Sequence, residues 1–448
     1  MKFKAILPKE NGFFYGSFVA MQDRLLQIGL LAFSISLAYG AAVQIIFPEG
    51  HLSPDSWSYL NIAYNLFEHQ TFSQLIDYPN ILDAMRTPGY PFLIYLFHWQ
   101  KIGVYGIVLT QAIFFGLSAM MLFKILMDLL KSRELASLFS LFFVFDIPSI
   151  YMSSTVMTET IFVFLLLCSF YFALRVASSK SISIGIVAGV CLGAAALFRP
   201  IALYLGLIIP LTGFFLAKWK GSRSLVFVLS FALVCAPWML RNQSNFGVFN
   251  LSLVGELNIL FHTSSNILAD VNGSSRQAEE LKLRDKYFDE NEWKEASYPK
   301  NFASAAHKEL RLQLIEHPLV FVKLYCKSFV YFFTKPMRSY ISEQFGWEKT
   351  GPWFPVEPNT RNQPTNPSWI WPLLLFQLGM LFILYLGFIP LSSILNKKDV
   401  VWLLLLGLLY FSSVSALTEA DARLRVVAIP LIVMLSALGW KKRLLNEL

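Results

Sequence analysis

The chain has 448 residues, of which 55% are hydrophobic and only 15% charged, and its mean hydropathy is +0.53. This composition excludes an ordinary soluble protein, in which about a quarter of the residues are charged. The net charge of +8 would suit a nucleic-acid partner, but the basic residues are distributed as in membrane proteins, so we expect no nucleic acid.

Apolar stretches recur along the chain, each close to the roughly 20 residues that a helix needs to cross a bilayer. The alternating strand pattern of a membrane barrel is absent from the sequence, so we predict an all-α, polytopic membrane bundle of about ten transmembrane helices. The predicted spans are residues 25–46, 102–123, 135–151, 158–175, 182–198, 200–217, 224–240, 369–391, 400–417 and 425–440.

Lysine and arginine residues gather at every second connection between the predicted spans. Cytoplasmic connections carry the excess of basic residues, so both termini are predicted to be cytoplasmic. The first span is too long for the apolar region of a signal peptide, and we expect an uncleaved anchor. The basic residues are Lys2, Lys4, Lys9 and Arg24; Lys124, Lys131 and Arg133; Arg175 and Lys180; Lys218, Lys220 and Arg223; Lys397 and Lys398; and Lys441, Lys442 and Arg443.

Polar residues concentrate in three outer segments, 48–100, 146–159 and 244–368. Residues 56–69 are predicted to form an amphipathic helix on the outer face, and 276–290 and 301–317 two more helices. The predicted division of the chain is a transmembrane module at 1–243, an extracytoplasmic subdomain at 244–368 and C-terminal transmembrane helices at 369–448.

One further apolar segment, residues 317–335, does not fit the alternation of basic connections. Lys323 and Lys327 interrupt it, and a crossing here would place the Lys397–Lys398 connection outside. We therefore expect this segment to lie along the outer interface. The four cysteines, Cys168, Cys191, Cys235 and Cys326, follow no disulfide or metal-binding spacing.

Asp55, at the start of the first outer helix, is the main candidate for chemistry. A carboxylate at the bilayer surface can accept a proton from a hydroxyl nucleophile or hold a cation. An aspartate that caps the following helix, or a solvated loop acid, is the alternative. Tyr59 lies one helical turn later and shares the face of Asp55, or it is an interfacial aromatic residue.

Charged residues also stand at the other predicted outer helix ends. Guanidinium groups suit bidentate contact with phosphate, and contact with lipid head groups is the alternative. Glu159 opens the fourth span, where it can bind an acceptor or sugar or complement the helix dipole. In addition to Glu159, the candidates at these ends are Arg86, Arg199, Arg241, Asn242 and Arg423.

No phosphate-loop, dinucleotide or zinc-protease motif is present, and no cofactor is indicated. Glu419 and Asp421, spaced by one residue, resemble a metal-binding acid pair. Because Arg423 and Arg425 follow them, a solvated, charge-balanced loop is the favoured interpretation. The sequence therefore does not indicate a divalent metal at the predicted site, and it leaves a metal requirement open.

The order of these motifs resembles the GT-C glycosyltransferases that use a lipid-phosphate sugar donor. That group includes the protein O-mannosyltransferases and the bacterial enzyme that adds aminoarabinose to lipid A. The resemblance covers most of the chain. It rests on Asp55 with Tyr59, 86-RTPGYPFLIYLF-97, 158-TE-159, 198-FRP-200, 237-PWMLRN-242 and 421-DARLRVVAIP-430.

The resemblance implies a GT-C bundle with a polar cavity at the outer leaflet of a bacterial inner membrane. It implies a polyprenyl-phosphate sugar donor, undecaprenyl phosphate in a bacterium, and inverting transfer to a hydroxyl of a lipid, glycan or protein. Asp55 would be the base, Tyr59, Arg86 and Arg241 would lie near the phosphate, and Glu159 near the acceptor or sugar. Ser56 stands where the protein O-mannosyltransferases carry a second acid, which favours the bacterial envelope-modifying branch.

Two other functions remain open from the sequence. A transporter or flippase for a lipid-linked sugar would need charges or broken helices at the membrane midplane, and the predicted spans carry no ionisable residue near their middles. A non-catalytic envelope assembly protein would not need Asp55 and the arginines to share one cavity.

Overall fold

The computed structural model describes residues 11–97, 99–177, 181–288, 298–337, 340–341, 344–345, 370–393, 399–418 and 420–445. These residues are mainly helical and contain no β-strand, which confirms the predicted all-α class. Some residues named in the sequence predictions lie outside the described ranges. They are Lys2, Lys4, Lys9, Lys180, Lys397, Lys398 and Glu419.

The described residues up to 246 form the first set of helices, most of them apolar. A short 3₁₀ turn, Pro48–His51, joins the first helix to the second. The helices are α1 (Asn11–Ile46), α2 (Pro54–Glu68), α3 (Gly89–Leu96), α4 (Trp99–Leu130), α5 (Arg133–Val144), α6 (Ile147–Ser154), α7 (Glu159–Val176), α8 (Ser183–Phe198), α9 (Leu205–Phe215) and α10 (Gly221–Phe246).

The described residues after 250 form a polar group of helices followed by further apolar ones. A π-helical stretch, Asn258–Ser264, joins the first two of them. The helices are α11 (Val254–Leu257), α12 (Ser265–Asn272), α13 (Arg276–Tyr287), α14 (Tyr298–Glu316), α15 (Pro318–Thr334), α16 (Ile370–Leu386), α17 (Asp399–Ala416), α18 (Ala422–Arg425) and α19 (Ile429–Leu445).

The apolar helices make the chain an integral, multi-pass membrane protein. All ten predicted spans fall on helical segments, but only six of the described segments are both long and apolar enough to cross a membrane as single helices. The bent pair α5–α6 would make seven, and three further apolar helices are shorter. The six are Met21–Ile46, Gly103–Leu130, Glu159–Val176, Gly221–Phe246, Trp371–Leu391 and Ala422–Leu444. The count of ten therefore stays a prediction.

Small residues allow the membrane helices to approach closely. A Cβ at Gly116 on α4 would lie 2.8 Å from the backbone oxygen of Gly29 on α1. A Cβ at Gly189 on α8 would lie 2.3 Å from the backbone oxygen of Phe227 on α10. Such contacts are typical of helix packing in lipid, where dispersion replaces the hydrophobic driving force. They hold α1 against α4 and α8 against α10.

The helices between residues 254 and 316 have a small apolar core of their own. Phe261, Leu283 and Phe302 are almost fully buried in it, and the ring of Phe288 stacks on Phe302 with centroids 5.5 Å apart. Helix α15, which covers the predicted interfacial segment, packs against α17 and α18. It does not meet the length and composition of a candidate span.

Helices α5 and α6 meet at an angle of 56°. Asp146 lies at the bend and caps α6, because its Oδ2 accepts the backbone N–H of Ser149 at 3.0 Å and its hydroxyl at 2.6 Å. An ionisable residue at a helix break is a feature that a transporter would use. The bend lies within the predicted span 135–151, nearer to its outer end, and the carboxylate of Asp146 is used to cap α6.

Candidate active site

Asp55 lies in the first turn of α2 but does not cap it. Ser53 is the capping residue, and the hydroxyl of Ser56 accepts the backbone N–H of Ser53 at 2.9 Å. The same hydroxyl donates to the carbonyl of Val156 at 2.8 Å, which fixes the start of α2 against the segment before α7. The carboxylate of Asp55 is therefore available for contacts with other parts of the chain.

Five of the candidate residues form one connected ion cluster, which consists of Asp55, Arg86, Glu159, Arg199 and Arg423. Asp55 accepts Nη2 of Arg86 on one oxygen and Nη2 of Arg423 on the other, each at 2.8 Å. Nε of Arg423 also lies 2.8 Å from Oε1 of Glu159, so this arginine joins the two carboxylates. Nη1 of Arg199 lies 2.6 Å from the same oxygen of Glu159.

The cluster is buried on one side and open on the other. The side chain of Glu159 is 0% exposed, while that of Asp55 is 32% exposed. A buried carboxylate is costly unless it is paired, and Glu159 has two guanidinium partners. Glu159 is also the first residue of α7, where its negative charge interacts favourably with the helix dipole. The second role predicted for this acid, complementing the dipole, therefore applies as well.

The cluster has a surplus of positive charge. Three arginines face two carboxylates, which leaves one net positive charge if all five groups are ionised. Nη1 of Arg423 and Nη2 of Arg199 donate to none of the described residues, although each arginine carries five N–H groups. An anion bound beside the arginines could accept N–H groups that have no acceptor among the described residues.

Tyr59 supports the Arg86 side of the cluster. The guanidinium carbon of Arg86 lies 4.9 Å from the centre of the Tyr59 ring, and its Nη1 donates to the tyrosine hydroxyl at 3.4 Å. The ring of Tyr90 meets Tyr59 edge-on with centroids 5.2 Å apart. Burial raises the pKa of Tyr59, so its phenol stays neutral and can accept from Arg86.

Opposing effects act on the pKa of Asp55. Burial acts to raise it, but the charges and hydrogen bonds of Arg423 and Arg86 outweigh burial and hold the pKa of this carboxyl well below its usual range. Asp55 is therefore ionised at neutral pH. In this arrangement its oxygens are occupied, so it becomes a useful proton acceptor only when a guanidinium partner turns to another anion.

Arg241 and Asn242, both on α10, lie beside the cluster in a separate set of contacts. Nη1 of Arg241 donates to the backbone carbonyl of Asp83 at 2.7 Å and to Oδ1 of Asn242 at 2.8 Å. Nδ2 of Asn242 donates to the carbonyl of Asn250 at 2.8 Å. They are connected to the ion cluster indirectly, because Arg241 contacts the backbone of Asp83 in the turn that leads to Arg86.

The structure adds two residues to the site: Thr158, which the sequence analysis gave only as part of the motif 158-TE-159, and Asp83, which it did not single out. The hydroxyl of Thr158 accepts Nη1 of Arg199 at 3.0 Å, directly before Glu159. Asp83 accepts the backbone N–H of Arg86 on its Oδ2 at 2.7 Å. An aspartate three residues before an arginine in a turn was the available signal for Asp83, because such carboxylates bind the following backbone.

The prediction of a solvated, charge-balanced loop around Asp421, Arg423 and Arg425 is wrong. Arg425 is completely buried, and its guanidinium donates to the carbonyls of Phe332 and Lys335 at the end of α15. Asp421 caps α18 by accepting the backbone N–H of Leu424 at 3.2 Å, and it also accepts the hydroxyl of Tyr340. Carbonyls at a helix C-terminus attract a cation, which is why Arg425 packs inside.

The described residues contain no group of three or more His, Cys, Asp or Glu side chains placed to hold a metal ion. The predicted acid pair cannot be placed, because Glu419 lies outside the described residues. Asp421 uses its carboxylate for α18 and Tyr340 instead.

No protein-family model and no curated protein matches the chain. Among solved structures, ArnT from Cupriavidus metallidurans bound to undecaprenyl phosphate matches with a TM-score of 0.40 and 12% identity, covering 92% of this chain and 77% of that one. The apo structure of the same protein matches with a TM-score of 0.36 and 10% identity, covering 87% and 72%.

Both TM-scores lie below 0.5, so neither match indicates a ligand or an activity for this chain.

Proposed function

We propose that this chain is an integral membrane glycosyltransferase. Its donor is a sugar linked to a polyprenyl phosphate, undecaprenyl phosphate in a bacterium, and its acceptor is a hydroxyl of a lipid, glycan or protein. The observation that carries the proposal is the ion cluster, in which arginines from three distant segments surround Asp55 and Glu159. The sequence motifs that contribute these residues are those of the resemblance.

The arginines suit the phosphate of such a donor. Arg86, Arg199 and Arg423 are partly exposed, and the cluster has more cations than anions. Guanidinium groups bind phosphate oxygens through paired, charge-assisted hydrogen bonds. The same contacts stabilise the polyprenyl phosphate as negative charge develops on the leaving oxygen.

Asp55 acts as the base in the proposed reaction. A donor phosphate competes with the Asp55 carboxylate for Arg86 and Arg423, which frees a carboxylate oxygen for the acceptor. The acceptor oxygen attacks the anomeric carbon and its proton passes to Asp55, while the bond from that carbon to the phosphate oxygen breaks. A single displacement inverts the anomeric centre. Glu159 fixes Arg199 and Arg423 and lies on the acceptor or sugar side.

The position of the cluster suits an amphiphilic donor. Glu159 opens a candidate span and Arg423 lies on α18 at the start of another, so the cluster stands at the ends of membrane helices. The donor's tail can stay in lipid while its head group reaches the charges. In the predicted topology this end faces the periplasm or cell exterior, with the protein in the bacterial inner membrane.

The test compares cells that lack the gene with cells that carry wild-type or variant copies. Asp55→Asn keeps the size of the side chain but removes the base, and we expect transfer to fall by about 100-fold or more. Asp77→Asn is the matched control, since Asp77 is an exposed acid in the same outer segment. Mass spectrometry of envelope lipids and glycans measures the added sugar.

The outcomes are distinct. A sugar present with the wild type and Asp77→Asn but absent with Asp55→Asn, at equal protein levels, supports the proposal. Normal transfer by Asp55→Asn would remove this carboxylate from its role. Identical envelope glycans with and without the gene would contradict the glycosyltransferase function itself.

A further inference from the structure

The turn that carries Arg86 has an acid of its own. Asp83 is only 5% exposed, and its Oδ2 accepts the backbone N–H of Arg86 at 2.7 Å. The backbone N–H of Asp83 donates to the carbonyl of Phe72 at 2.8 Å. A carboxylate that binds the backbone three residues later holds the chain in a fixed turn. The described contacts of Asp83 include no hydrogen bond or ion pair with Asp55, so its effect on the cluster passes through Arg86.

Three successive carbonyls of this turn are held by one neighbouring segment. The carbonyl of Asp83 accepts Nη1 of Arg241, and that of Ala84 accepts the backbone N–H of Leu253 at 3.1 Å. The carbonyl of Met85 accepts the hydroxyl of Ser252. The end of α10 and the residues after it therefore donate a hydrogen bond to each backbone carbonyl from Asp83 to Met85.

Arg241 is itself fixed by aromatic rings. Its guanidinium carbon lies 4.7 Å from the ring centre of Trp238, 4.9 Å from Phe246 and 5.4 Å from Phe72. Cation–π contacts of this kind leave a guanidinium little freedom to turn toward a new ligand. Rotating Arg241 away would also leave the carbonyl of Asp83 without this donor. These contacts suit a role for Arg241 in holding the turn in place, and they do not suit a side chain that moves to bind phosphate.

We infer that Asp83 and Arg241 are positioning residues, which hold the turn 83–86 so that the guanidinium of Arg86 meets Asp55 and the donor phosphate. The inference deepens the proposed function and rests on it for its binding readout. It assigns Arg241 an indirect role, in contrast to the direct phosphate contact that the sequence resemblance implies.

The test measures binding of undecaprenyl phosphate to the purified full-length protein in detergent, by thermal shift and by quenching of tryptophan fluorescence. Asp83→Ala and Arg241→Ala are each expected to weaken the affinity about tenfold, close to the loss from Arg86→Ala. Asp83→Asn keeps an acceptor oxygen and should lose less than about threefold. Asp77→Asn is the control on the same segment.

Double variants separate a positioning residue from a direct ligand. If Arg241 and Asp83 act through Arg86, then adding either change to Arg86→Ala costs no further affinity. Additive losses would overturn the inference, because they would mean independent contacts with the phosphate. An affinity for Asp83→Ala equal to that of the wild type would also overturn it.

A second readout does not need the donor. Hydrogen exchange of the peptide containing residues 84–88 should be faster in Asp83→Ala and in Arg241→Gln than in the wild type and Asp83→Asn. Equal exchange in all four proteins would contradict the positioning role of Asp83 and Arg241. If the wild type fails to bind undecaprenyl phosphate, the proposed function is contradicted, while the exchange result still decides the positioning role. Should Asp83→Ala fail to fold, Arg241→Gln carries the same comparison.

Discussion

Each carboxylate oxygen of Asp55 is paired with a different arginine, one from the turn before α3 and one from α18. The pairs hold the pKa of Asp55 below its unfolded value of about 3.9. Because the folded-state pKa is the lower one, the pairs stabilise the protein above about pH 4 and are lost only as the pH falls through the folded-state value. The carboxylate thus stays charged over the whole physiological range.

This direction of shift predicts the pH dependence of the reaction. The value of kcat/KM reports groups of the free enzyme, so Asp55 should contribute no acidic limb between about pH 5 and 8. Transfer from a polyprenyl-phosphate sugar, followed in membranes across this range, measures it. An acidic limb centred near pH 6 that vanishes in Asp55→Glu would contradict the paired, low-pKa carboxylate.

The arginines of the cluster lie in turns or in the first turn of a span, and not in the middle of a long helix. Arg86 lies in the turn before α3, Arg199 between α8 and a 3₁₀ turn, and Arg423 on the four-residue helix α18. Such elements have little stability of their own, so they depend on caps and on tertiary contacts. Asp83 stabilises the turn that carries Arg86 by accepting a backbone N–H, and Asp421 stabilises the helix that carries Arg423 in the same way.

The cap of α18 gives a second prediction. Asp421→Ala removes the acceptor for the Leu424 N–H and for Tyr340, which should cost about 1 kcal/mol of stability and also weaken binding of undecaprenyl phosphate. Ser132→Ala, which removes the cap of α5, is the matched control. We expect both variants to unfold at lower temperature, as thermal denaturation will measure. Only Asp421→Ala should lose affinity; equal affinity in the two variants would contradict the positioning of Arg423 by α18.

Across the whole molecule, the cluster joins residues from nearly the full length of the chain. Arg423 is 368 positions from Asp55 and 264 from Glu159. The candidate spans must therefore pack as one bundle before the cluster can form. In the predicted topology, the basic connections then lie on the opposite side of the membrane from the cluster.

That arrangement predicts the sides of two connections. Reporter fusions at Lys218 and at Asn272 should report opposite compartments, with Lys218 cytoplasmic, because basic connections are retained inside. Paired alkaline phosphatase and green fluorescent protein fusions measure this directly. Fusions at Lys131 serve as the cytoplasmic control. The same compartment for Lys218 and Asn272 would reject both the orientation and the predicted outer site.

The sequence by itself determined the helical membrane class, the segments that form the apolar helices, and the charged residues at their ends. These features are local, because hydrophobic length and charge placement need no knowledge of the partners. The pattern did not show that Arg425 would be buried, since neighbouring charges look alike in a short loop.

Only the tertiary structure decided which of the charged residues meet. It brought Asp55, Arg86, Glu159, Arg199 and Arg423 together and set Arg241 against Asp83. Arg86 opens one apolar motif and Arg241 lies near the end of another, and the sequence gives no reason to assign them different roles. Their roles differ because ion pairs and hydrogen bonds depend on distances of a few ångströms, which the packing of the whole bundle sets.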